Sequence, residues 1–337
     1  MQKIIFPILL SVVMLSSCGG GVKKDFNVDV SNIESEAEVV RFDLDFDTIN
    51  PRNVYTSIPA MKQKYGDFLE LYTEGIIGLP SMEAADFQIR LDDFMNYCNT
   101  HYNFKEVARV FPADEPLEPL FDEAFRHFRY YYPDAQIPKI YTVVSGYQES
   151  VFPTDGIVAM ALDKYLSNDG LYAEFGIENY KRRKMVKAMM PVDFFRTYAM
   201  LNYPKDESNA DNLLNEMIYQ GRIQYFLKSM MPSAPDSLLW GYSDINYRWA
   251  EYYEENVWNY LVDRKLLFET DSKLINKMTG EGPFTNAFGN ESAPGVASFC
   301  GYGIVCSYMV NHPEVSLGQL MAITDMQSIY NMARYNP

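Results

Sequence analysis

Histidine is scarce in this chain: three occur among 337 residues, His101, His127 and His312, and none has another within four positions. A hydrolytic zinc centre takes about three protein ligands and leaves one position for water. An HExxH zinc helix is therefore excluded. Cysteine is nearly as rare, with four in the chain. Once Cys18 is set aside, Cys98, Cys300 and Cys306 have neither the even count of a disulfide framework nor zinc-ligand spacing, and they read as small core residues. Positive charge is also short. Lys and Arg number 29 against 45 Asp and Glu, a formal charge of -16. Removal of the first 17 residues takes Lys3 with it and gives 28 - 45 = -17. A surface that acidic repels phosphate backbones and anionic headgroups, which excludes nucleic acid and leaves covalent or inserted attachment as the route to a membrane. The apolar run from Ile4 to Leu15 spans 12 residues, too few to cross a bilayer.

What is present is aromatic. The 26 tyrosines and 21 phenylalanines, within a 47% hydrophobic composition, belong to a globular protein with many amphipathic rings in its core and grooves. At the N-terminus Lys3, the apolar run, Ser16 and Ser17 make a signal-peptide pattern over residues 1–17. Leu15-Ser16-Ser17-Cys18 resembles a bacterial lipobox, so Cys18 is the expected lipid attachment site. Three acyl chains, at about 0.8 kcal/mol per buried methylene, would anchor the protein stably. Gly19 to Gly21 begin a polar, acylated tether over residues 18–38, and a single globular domain follows over residues 39–337.

The pattern predicts a mainly α fold with a small β-sheet, an α+β class. VVRFDLDFDTI (39–49) alternates in strand fashion, and Asp43, Asp45 and Asp47 lack the glycine and the final glutamate of a calcium loop. Helical pattern covers about 53–102, 104–110 and 120–132, with His127 packed among aromatics of the last. Strands are expected at 139–144 and 156–162. Helices then follow at about 177–190, 192–203, 211–230, 243–268, 298–310 and 316–332.

The organising stretch is NLLNEMIYQGRIQYF (212–226), an apolar helix carrying one acid, Glu216. Gly221 weakens it by roughly 1 kcal/mol relative to Ala, and close helix packing would accommodate that residue. The E-x-x-x-x-G run is similar to the helix that supplies the third zinc ligand in gluzincin peptidases. The upstream helix, MPVDFFRTYAMLNY (190–203), offers Asp193 and Arg196 where that family carries its histidines. A vestigial groove of Asp193, Arg196, Glu216, Tyr219 and Arg222 is the expectation, with Arg196 or Arg222 neutralising Glu216, no metal and no cofactor. An uncompensated buried acid costs several kcal/mol.

Other constellations carry less. Gly301 to Gly303 lacks the lysine of a phosphate loop, and Ser145 lacks a nucleophile elbow. Glu251, Glu254 and Glu255 read as a solvated helix face, although an acid pair would suit glycoside hydrolysis. Trp249, Tyr252, Tyr253 and Trp258 read as helix packing.

Several segments in order, FRHFRYYYPDAQIPKIYTVVSGY (125–147), IVAMALDKYLSNDGLY (157–172), LLNEMIYQGRIQYFLKSMMP (213–232), WAEYYEENVWNYLVDRKLLFETD (249–271), Gly282-Pro283-Phe284 and SAPGVASFCGYGIVCSYM (292–309), resemble the GldB family of gliding-motility lipoproteins of Bacteroidota. The resemblance implies a zincin-like fold without its HExxH site. It also implies a cell-envelope lipoprotein on the inner or outer membrane, facing the periplasm or the surface, that supports motility and secretion in gliding relatives. A non-catalytic scaffold binding an envelope protein or peptide is the expected function; a hydrolase of peptide or glycan is the alternative.

Overall fold

A computed structural model describes residues 26–50, 52–205 and 211–337. The signal segment, the lipobox and Cys18 lie outside the described residues. Helix dominates, and the strands form a four-stranded sheet in the order β1 (Val39–Val40), β2 (Lys139–Val143), β4 (Ile157–Ala161), β3 (Val151–Pro153). β1 and β4 both run parallel to β2, with Val39 opposite Ile140 and Thr142 opposite Met160, while β3 returns antiparallel along β4. The chain leaves β2, passes beyond β4 to form β3, and turns back through Gly156 at φ +74°, a conformation glycine adopts without strain.

The alternation in 39–49 does not produce the long strand it predicts. Only Val39 and Val40 pair; Phe42–Asp47 is a helix. Phe42 and Phe46 lie one turn apart and are both buried, packing on Tyr72 from the same side. Asp43 is held by Arg41 and by Thr142 Oγ1, and Asp45 accepts from Tyr65 Oη at 2.7 Å. Tertiary contacts thus took over a pattern compatible with either period. The long helices expected at 243–268 and 316–332 are also divided, into Asp244–Tyr252 and Glu254–Asp263, and into Leu317–Ala322 and Met326–Ala333.

The stretch expected to be tether up to residue 38 is in part attached. Phe26 packs on Tyr225, Glu36 pairs with Arg129 and Glu38 with Lys139. At the other extreme of burial is the helix Leu213–Met230, where 15 of 18 residues are buried. So complete a burial means neighbours on every side and no solvent face. Its N-terminus is capped by Asn212, whose side chain accepts from Asn215 N at 3.0 Å. Its principal neighbour is the helix Ala297–Asn311, and the two cross at glycines. A Cβ on Gly221 would lie 2.3 Å from the Gly301 carbonyl carbon, and one on Gly301 would lie 1.9 Å from Met217 O. The glycine that weakens the helix locally is what lets two backbones touch.

Candidate functional site

The groove residues sit on two helices, Met190–Asn202 and Leu213–Met230. Tyr198 stacks on Phe226 and Phe195 meets the same ring at a tilt, whereas Lys205, just past the first helix, reaches Glu216 and Tyr219 near the start of the second. The pair is therefore antiparallel. Asp193 and Glu216 each occupy a first turn, so about 13 residues of helix, ~20 Å at 1.5 Å per residue, lie between their levels. The five residues form two clusters instead of one groove.

In the first cluster Asp193 Oδ2 accepts from Tyr165 Oη at 2.9 Å. Burial pushes the Asp193 carboxyl up to about 6, against the pull of Tyr165, Arg196 and Lys184. Arg196 donates from Nη2 to Leu239 O at 2.7 Å, and burial lowers its guanidinium. Lys184 and Glu281 pair at 2.5 Å; burial opposes the ionised Glu281, but Lys184 and Arg196 hold its carboxyl below the usual range. Two cations, Lys184 and Arg196, and two acids, Asp193 and Glu281, thus make up one cluster.

The second cluster corrects the pairing expected of Glu216. Neither arginine neutralises it. Lys205 forms the ion pair, and Gln220 Nε2 donates to Oε1 at 2.9 Å. Arg222 turns instead to the end of the helix Leu317–Ala322, donating from Nη1 to Met321 O at 2.9 Å and to Ile323 O. Burial pushes its guanidinium down to about 10, and the ring of Tyr219, 5.6 Å away, supports the charge. With no carboxylate paired to it among the described residues, the buried Arg222 is sustained by carbonyls at the negative end of a helix. This also explains why the C-terminal helix is divided: Arg222 takes the carbonyls where it would have continued, and Asp325 caps the next segment by accepting from Ser328 N at 3.2 Å.

The remaining candidates have local duties. His127 is buried with Nδ1 2.8 Å from Glu123 O; the carbonyl can only accept, so Nδ1 donates. Ser145 is fully buried, and its neighbour Asp163 accepts from Asn103 Nδ2 at 2.9 Å and from the amides of Ser145 and Tyr147. Asp163 fastens the turn after β2, and no spacing in LDKY announces it. Glu254 accepts from Tyr335 Oη at 2.8 Å and lies against Gly303; Glu251 sits on the preceding helix, so the acids do not share one face. Tyr165, Lys184, Lys205 and Glu281 also went unseen, since each is joined to its partner only by folding.

Among the described residues, no group of three or more His, Cys, Asp or Glu is placed to hold a metal ion, and no helix is long and apolar enough to cross a membrane. What the fold and the two clusters define is a mainly helical α+β protein in which Asp193, Glu216, Arg196 and Arg222 each meet a partner within the chain. The model of the family described as gliding motility protein GldB matches residues 23–337, and the chain belongs to that family. No curated protein matches the chain, and no solved structure does.

Proposed function

We propose that this protein is an envelope lipoprotein anchored through acylated Cys18, working by contact with an envelope protein or peptide and not by catalysis. In gliding relatives that contact would serve the motility and secretion machinery. The observation that carries the reading is the fate of the expected groove. Glu216 and Arg222, the residues most suggestive of a former site, are committed to Lys205 and to helix carbonyls. A general acid or base must be within hydrogen-bond reach of substrate, and these two reach protein partners.

One observation favours the hydrolase alternative. Asp193, pushed up to about 6 and hydrogen-bonded to Tyr165, has the proton affinity of a general acid. The test is cross-linking and affinity capture of the acylated protein from envelope fractions, with peptide and glycan hydrolysis assayed on the same preparation. Specific capture of an envelope partner by wild type and by Asp193→Asn alike, without turnover, supports the scaffold. Hydrolysis that disappears in Asp193→Asn while folding persists would replace it with the alternative.

A further inference from the structure

The chain enters the described body at Phe26, and it does so beside a cleft. The Phe26 ring lies 4.9 Å from that of Tyr225. With Tyr130, Tyr131, Met309 and Leu317 these two rings line a cavity of about 350 Å³. Among the described residues the lining contains no charged side chain, and its serines are engaged: Ser229 Oγ donates to Tyr225 O, and Ser316 Oγ accepts from Gln319 N. Tyr130 is 47% exposed, so the aromatic wall continues to the surface. The cleft pairs aromatic and aliphatic walls with tyrosine and serine hydroxyls, so its lining is part apolar and part polar, and it can take a chain that is apolar along its length and meets water at one end.

The position of the anchor says which one. From Cys18 to Phe26 is 26 - 18 = 8 residues. At 3.3–3.6 Å per residue, that length reaches at most about 29 Å. Given the lipid anchor proposed above, on which this inference rests, the cleft can never be farther than that from the bilayer surface. We propose that the cleft is the face the body turns to the membrane, and that it takes an acyl chain of a bilayer phospholipid. An acidic body avoids anionic headgroups over most of its surface, and contact is least costly where charge is missing. Tyrosine suits that position, with an apolar ring and a polar tip matched to the membrane–water boundary.

The test uses the full acylated protein in vesicles of phosphatidylethanolamine and phosphatidylglycerol containing a phospholipid with a photoactivatable acyl chain. After irradiation, adducts are mapped by mass spectrometry. They are expected to concentrate on the peptides carrying Tyr130–Tyr131 and Val315–Leu317, and to fall to background on both in Tyr130→Asp, a surface change compatible with folding. Val315→Asp provides a second variant, with circular dichroism reporting its fold. Flotation with the vesicles separates the two layers of the argument. Protein that floats but carries adducts elsewhere, or none, overturns the membrane-facing cleft and leaves the anchor standing; a cleft filled by the acyl chain of Cys18 gives this same outcome. Protein that fails to float overturns both.

Discussion

At neutral pH Asp193 is ionised against the preference of its surroundings. Its carboxyl titrates near 6 in the folded protein against an ordinary value of 3.8, because burial disfavours the charge more than Tyr165, Arg196 and Lys184 support it. Between those values the folded protein holds a proton that the unfolded chain has released. The resulting stability is complete below about 3.8 and is lost as pH rises through about 6. At 1.36 kcal/mol per unit, the loss is ~3 kcal/mol. Asn retains an acceptor for Tyr165 without the charge. Asp193→Asn is therefore expected to match wild type in urea midpoint near pH 4 and to exceed it by pH 7.5; curves that stay parallel would show that Asp193 does not titrate as described. Arg222 presents the opposite case, a charge the fold requires. Arg222→Met leaves the carbonyls of Met321 and Ile323 without their donor and is expected to destabilise by roughly 2–4 kcal/mol in urea unfolding. Lysine, a single ammonium lacking the planar fork, is expected to recover only part of that. A neutral Arg222→Met would mean that other groups satisfy this helix end.

Among the elements, the crossing of Leu213–Met230 with Ala297–Asn311 makes the sharpest claim. Helix propensity alone makes Gly→Ala favourable by roughly 1 kcal/mol. At Gly221 and Gly301 the new methyl would meet backbone atoms at 2.3 and 1.9 Å, and backbone cannot swing aside. Each substitution is expected to cost at least ~3 kcal/mol or to prevent folding, because overpacking here means separating two central helices. Gly75, in the helical segment Leu71–Ile76, would meet nothing within 4 Å, and Gly75→Ala is expected to stabilise by ~0.5–1 kcal/mol. Thermal midpoints moving in opposite directions would verify the pair; a tolerated Gly301→Ala would refute the close crossing. The elements also show how far the pattern could be followed. Leu213–Met230 is legible because a long run of strong helix formers, Leu, Glu, Met, Gln and Arg, carries no proline. β3 is not, since three residues ending in Pro153 carry no period at all. Phe42–Asp47 was mistaken for strand because Phe42, Leu44 and Phe46 fit an alternation as well as Phe42 and Phe46 fit a helical turn. Of the site, the acids and arginines were legible as buried charges; their partners were not, since Lys205 and Met321 are neighbours of the central helix only in three dimensions.

For the whole molecule, the proposed anchor and body are separable. Cys18→Ser is expected to move the protein from the membrane pellet to the soluble fraction while circular dichroism and thermal midpoint stay unchanged, because the core cluster among the described residues is built from Phe42 onward. Retention in the pellet would assign attachment to the body itself. The sequence alone determined the helical class with its small sheet, the net acidity, and the want of neighbouring histidines that a zinc helix needs. These follow from composition and short-range period, which folding does not alter. Only the tertiary structure decided which charge answers which, that Asp193 and Glu216 stand about 20 Å apart by helix rise, and that Gly221 meets Gly301. Those facts depend on how helices far apart in the chain cross, and no local spacing encodes the crossing.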